Sequence, residues 1–168
     1  MLAPSVGHAQ PWRFVKVESS SRRAGILANF EAANTRALQG YAGEKRAAYA
    51  RLKLAGLAEA PVQLAVLCDE STAAGSGLGR QTMPQMMPYS VVCAIHTLWL
   101  AARMHGLGCG WISILDPESA LRTLDAPPGH SLIAYLCLGW PERTSDAPEL
   151  EQAGWQSRLD PSALIWTC

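Results

Sequence analysis

Chemistry in this 168-residue chain rests on few side chains. Ser113 closes the run Gly108-Cys109-Gly110-Trp111-Ile112-Ser113, whose alternation puts Cys109, Trp111 and Ser113 on one face of an extended segment. Gly110 within it lets another backbone or a flat ligand approach closely. A hydroxyl at Ser113 either bonds a neighbouring carbonyl or faces a ligand, and the pattern leaves both open. Gly75-Ser76-Gly77-Leu78-Gly79-Arg80 has the glycine density of a phosphate loop. It lacks the Lys-Ser/Thr ending, and Pro84 and Pro88 argue against the helix that must follow, so it reads as a flexible lid or linker. His8, His96, His105 and His130 are scattered, and Cys68, Cys93, Cys109, Cys137 and Cys168 form no C-x-x-C pair. No metal site is expected from them. No G-x-S-x-G elbow anchors a hydrolase triad.

Composition narrows the classes further. Fourteen Lys plus Arg balance fourteen Asp plus Glu, so the net charge is zero and nothing grips a phosphate backbone. Apolar residues make up 49% and charged ones only 17%, which excludes disorder and suggests surface buried against another subunit. No stretch reaches the ~18 apolar residues of a membrane span. No signal peptide is visible, and an odd cysteine count within apolar segments suits a reducing cytoplasm without disulfides.

The elements that must position these residues follow from periodicity. Trp12–Glu18 alternates as a half-buried strand, and the serines at 19–21 cap a helix from about Arg22 to Leu38. A second helix is expected from Glu44 to about Glu59, ending before Pro61. Val62–Cys68 reads as a buried strand, and Asp69–Pro88 as a long functional loop. Tyr89–His105 is a helix apolar over most of its circumference, hence buried on several sides. Strands at Gly108–Ile114 and Ser131–Gly139 flank a short helix near Pro117–Leu124, and Trp99, Trp111 and Trp140 are expected in the core. Strands and helices without regular β-α-β alternation indicate an α+β sandwich in a single domain over residues 1–168.

In order along the chain, several segments carry a likeness. They are Ala3-Pro4-Ser5-Val6-Gly7 with Gln10-Pro11-Trp12, Tyr49–Leu54 with Gly56, Leu78-Gly79-Arg80, Pro84-Gln85-Met86 and Tyr89-Ser90. Further on come Leu98-Trp99-Leu100-Ala101-Ala102-Arg103, Gly110-Trp111-Ile112-Ser113-Ile114, Tyr135–Gly139 and Gly154-Trp155. Together they resemble the nitroreductase-like FMN flavoproteins, and within these the flavin-destroying branch, the 5,6-dimethylbenzimidazole synthases. The resemblance implies an α/β sandwich with a mainly antiparallel sheet, paired as a homodimer with FMN between subunits and site residues from both chains. Pro4, Ser5, Gly7, Gln10, Leu54, Gly110 and Trp111 would contact the flavin, Arg158 its phosphate, and Ser113 would be catalytic. The planar guanidinium of Arg158 suits phosphate through paired hydrogen bonds.

The implied activity is oxidative fragmentation of reduced FMN by O2, giving the lower ligand of vitamin B12 and erythrose 4-phosphate. A separate NAD(P)H flavin reductase would supply the reduced flavin, and Asp69–Pro88 would be the lid. Two other functions stay open: an NAD(P)H-dependent FMN nitroreductase or cob(II)yrinate a,c-diamide reductase, and an inactive dimerising domain. The chain departs from the family pattern at His8-Ala9, Ala55 and His96. The family's arginine-rich phosphate segment and catalytic aspartate do not stand before Ala3. The chain thus reads as N-terminally truncated, expected to bind FMN weakly and to make no dimethylbenzimidazole as written, unlike its full-length parent.

Overall fold

The computed structural model describes residues 2–52 and 56–168. Four strands form one antiparallel sheet: β1 (Trp12–Lys16), β2 (Val62–Asp69), β3 (Gly108–Ile112) and β4 (His130–Gly139), in the order β1-β2-β4-β3. The central strands β2 and β4 are covered on both faces, which is why their sequences are continuous apolar runs rather than alternating ones. Val66 and Cys68 of β2, with Ala134, Leu136 and Leu138 of β4, point to one side. There they meet Val91, Ala94 and Ile95 of helix α3 (Met86–Met104). Ala65, Leu67, Tyr135 and Cys137 point to the other side, against Ile26 and Phe30 of α1 (Ser20–Gln39) and Ala120 of α4 (Pro117–Thr123). The expected α+β sandwich with an antiparallel sheet is thus the observed architecture.

Local chemistry sets the helix starts. The Ser19 side chain accepts from the Arg22 amide at the head of α1, and Asp116 accepts from the Ser119 amide at 2.8 Å, with Pro117 opening α4. Arg22 donates to the Leu124 carbonyl and pairs with Asp125, while Arg23 donates to the carbonyls of Val17 and Pro61. Both arginines are therefore committed to joining α1 to the loops below it.

Three boundaries differ from the sequence expectation. Helix α2 (Gly43–Arg51) stops well short of Glu59, because Leu52 turns extended and Gly56 takes a φ of +143°. Helix α3 begins three residues before Tyr89, with Pro88 in its first turn, where a missing N–H costs no helical bond. Strand β3 ends at Ile112, leaving Ser113 just beyond the last ladder pair. Among the buried groups, Tyr135 donates to Gln63 Oε1 at 2.7 Å and Gln63 Nε2 donates to the Leu57 carbonyl at 2.7 Å. This buried chain fastens the segment after α2 to the sheet.

Candidate functional site

The first group of sequence candidates lies in the turn that feeds β1. Gly7, His8 and Gln10 all have positive φ, at +53°, +57° and +46°. Two of the three are not glycine, so this is stored backbone strain of the kind that surrounding contacts must over-determine. Those contacts are present. The Gln10 amide donates to Ser5 Oγ at 3.1 Å, and the Val6 amide donates to Ser90 Oγ on α3 at 3.0 Å. Arg13 donates to the Gln10 carbonyl at 3.2 Å and pairs with Asp69 at 2.7 Å, so the turn is also tied to the end of β2. The Gln10 side chain meets His8 Nε2 at 3.1 Å. Asp69 accepts from the Ser71 hydroxyl, and that bond, helped by Arg13, holds its carboxyl below the usual value.

The glycine-rich stretch packs onto this same turn. Ala74–Gly77 forms a short 3-10 turn, and Gly75, Ser76, Gly77 and Gly79 all take positive φ. A Cβ on Gly7 would lie 3.0 Å from the carbonyl oxygens of Gly75 and Leu78, and a Cβ on Gly75 would lie 2.7 Å from the Gly7 oxygen. Gly7 and Gly75 thus interlock backbone to backbone, and Gly79 lies against the Val6 side chain. The stretch, expected as a lid or linker, folds back against the turn, with Arg80 donating to the Thr72 carbonyl at 2.7 Å. A cavity of about 480 Å³ lies behind it, lined by Glu70, Arg80, Gln81, Pro84, Met87 and Pro88.

The second group sits at the far edge of the sheet. Gly110 is exposed on β3, and a Cβ there would meet nothing nearer than the Cys137 oxygen at 3.9 Å. Trp111 is 45% exposed, and Ser113 is exposed with no side-chain hydrogen bond to the described residues. Of the two readings of Ser113, a hydroxyl satisfied by a neighbouring carbonyl is the one not seen. Burial pushes the neighbouring Cys109 thiol up from its ordinary pKa.

The sheet does not bring these two groups together within one chain. β1 and β3 are opposite edges, three strand spacings or roughly 14 Å apart. Along the strands they are offset as well: Trp12 is level with Cys68 and Ser131, whereas Ile112 is level with Tyr135, four residues further along β4. Arg158 joins neither group; its ion-pair partner among the described residues is Glu151, at 3.6 Å. Leu54 lies outside the described residues.

The tryptophans correct a second expectation. Trp99, Trp111 and Trp140 are 40%, 45% and 76% exposed rather than core. Helix α3 buries Met87, Ser90, Val91, Ala94, Ile95 and Ala102 against the sheet, but Tyr89, Val92, Trp99, Leu100 and Met104 face outward. Its all-round apolar pattern is one face buried and another left open. The C-terminal residues Leu159, Leu164, Ile165 and Trp166 are open as well. Upstream of them, Trp155 is held edge-on to Tyr41, with Lys45 Nζ 4.5 Å above its ring. Among the described residues no helix is long and apolar enough to cross a membrane.

Sequence reasoning missed Ser90 as a structural participant, although Tyr89-Ser90 stood among the matching segments. A small hydroxyl residue on the buried stripe of an apolar helix was the available signal.

A sheet of this order, sandwiched by α3 on one side and α1 and α4 on the other, places the chain in a known class. Residues 1–140 match the model of the Nitroreductase family, and the chain belongs to that family. More narrowly, it is similar to the 5,6-dimethylbenzimidazole synthase of Rhodospirillum rubrum, 57% identical over 157 residues that cover 94% of this chain and 74% of the relative. It is 53% identical to the enzyme of the same name from Rhodobacter capsulatus, over 94% of this chain and 76% of the relative. Among solved structures, an iodotyrosine deiodinase bound to FMN and 3-iodo-L-tyrosine superposes with a TM-score of 0.71 at 25% identity, covering 88% of this chain and 77% of that one.

Proposed function

We propose that this protein is a 5,6-dimethylbenzimidazole synthase that takes reduced FMN as substrate and fragments it with O2. The observation that carries the reading is 57% identity to a synthase across 94% of the chain. The site chemistry supports it. An open glycine backbone, an exposed indole and an uncommitted hydroxyl at the end of β3 suit a flat, mostly apolar ring with a polar edge. At the other sheet edge, the pinned Pro4–Gln10 turn offers a fixed backbone shape and the exposed Gln10 side chain to the same kind of ligand. Arg158, 71% exposed and loosely paired, is free to bind a phosphate.

Reduced FMN, when bound, supplies the electrons and the ring that O2 consumes. The chain's own work is to bind, orient and shield it. Ser113 donates a hydrogen bond or relays a proton at the reacting edge of the ring. Trp111 stacks against the ring and excludes water. The 70–85 segment, packed on the turn, closes the site against other electron acceptors. A complete site would take the turn from one subunit and the β3 end from another, a reading that the placement of the two halves on opposite sheet edges supports. The open faces of α3 and of the C-terminal segment are the surfaces for that pairing. A separate NAD(P)H flavin reductase delivers the substrate.

Chemically reduced FMN, the protein and air test the reading. Dimethylbenzimidazole, identified by absorbance and mass, is the expected product, and its formation needs O2. Steady NADPH consumption with a nitroaromatic acceptor and no benzimidazole would replace this reading with that of a recycling nitroreductase.

A further inference from the structure

We propose that Ser90 is a positioning residue for the flavin site, holding the strained Pro4–Gln10 turn in its binding geometry from the first turns of α3. The proposal rests on the FMN reading above. Ser90 is only 2% exposed and touches the turn across 84 residues of sequence. Its hydroxyl proton goes to the Met86 carbonyl four residues back, at 2.6 Å, a common bond for serine within a helix. That bond fixes the rotor, so the oxygen's lone pair is presented to the Val6 amide at 3.0 Å.

Val6 is the hinge of the turn. Ser5 before it accepts the Gln10 amide, and Gly7 after it begins the run of positive φ values. Among the described residues, Ser90 is the one side-chain acceptor for the Val6 amide. Without it, that N–H loses its partner and the strained residues lose one of the bonds that over-determine them. Ser5, Gly7 and Gln10, the residues assigned to the flavin edge, then relax together. Ser90 itself is buried behind the turn and acts through Val6, which distinguishes it from a contact residue.

Equilibrium titration of FMN, followed by quenching of its fluorescence, measures this in the protein without turnover. Ser90→Ala is expected to weaken FMN binding tenfold or more, with circular dichroism unchanged and a melting temperature within a few degrees of the parent. Ser90→Thr, which keeps the hydroxyl, returns the affinity to within about threefold. Hydrogen exchange supplies the readout that a merely structural serine would not move. In Ser90→Ala the amides of Val6, Gly7 and Gln10 exchange at least tenfold faster, while those of β2 and β4 do not change. Should the alanine variant fail to fold, Ser90→Thr against the equally shaped Ser90→Val carries the same comparison. Alanine-variant binding within twofold of the parent, or unchanged exchange in the turn, overturns the proposal. A parent protein that binds no FMN at all overturns the functional reading instead, and the flavin role of Ser90 with it.

Discussion

The Pro4–Gln10 turn and the end of β3 hold the two halves of the proposed site in opposite ways. In the turn, the amides of Val6 and Gln10, the Ser5 hydroxyl and the Gln10 carbonyl all have partners within the chain, and Gly7 interlocks with Gly75. At the end of β3, Gly110 is open, Trp111 is half in solvent and Ser113 has no partner among the described residues. A group whose hydrogen bonds are already made contributes shape. A polar group left free on a rigid strand end is available for chemistry. The comparison teaches that the turn is held by bonds within the chain, while the strand end leaves its groups open to a ligand.

The largest effect is expected at the free hydroxyl. Ser113→Ala removes no internal bond, so its melting temperature stays with the parent's, while product formation falls on the order of 10²–10³-fold, as for loss of one transition-state hydrogen bond. A variant as active as the parent would leave the strand end without a part in turnover and erase the contrast. The geometry sharpens this into a complementation test. In the proposed two-subunit site, Ser113→Ala chains mixed with Gly7→Ala chains, at an FMN concentration too low for the Gly7→Ala protein to bind, regain about a quarter of the parent's activity, because half of the resulting dimers would hold one intact site. No recovery would mean that one subunit supplies both halves.

The covered centre of the sheet contrasts with its open edge in alkali. Burial pushes the thiols of Cys68 and Cys137 up to about 11 from an ordinary 9. Their folded pKa is above the unfolded one, so the stability they carry is complete below pH 9 and is lost as pH rises toward 11, on the order of 2 kcal/mol each. Denaturant melts between pH 8 and 11 measure the loss, and a Cys68→Ala/Cys137→Ala variant should show a flatter profile from a lower start.

Gly7→Ala breaks the turn's side of the comparison. A Cβ at φ +53°, 3.0 Å from two carbonyl oxygens, costs about 1–3 kcal/mol, seen as a lowered melting temperature and weaker FMN binding. Gly110→Ala is the smallest change in stability, within about 0.5 kcal/mol, because its Cβ meets only ordinary contact. Its effect belongs to ligand approach, so FMN affinity falls while the melt does not. If Gly110→Ala destabilised as much as Gly7→Ala, the two regions would not differ in the way described.

Much of this molecule was legible in its sequence because the relevant physics is local. The apolar runs 62–68 and 131–139, the helical stripe through Val91, Ile95 and Ala102, and the caps at Ser19 and Asp116 depend on neighbours a few residues away. The matching segments likewise carried the family on the order of residues alone. What only the tertiary structure decided involves distant partners or empty space. Apolar pattern could not say that Trp99 and Trp111 face outward, since periodicity marks apolar positions and not what covers them. Gly75 and Gly79 looked like slack and are close contacts, because the atoms that require them belong to Gly7, Ala9 and Val6 in the distant N-terminal turn. Strand order, set by which edges pair, put Gln10 and Ser113 on opposite sides of the sheet. Ser90 acquired its place only when α3 packed over the N-terminal turn: a hydrogen bond spanning 84 residues leaves no periodicity in the chain, and only the packing of helix on sheet creates it.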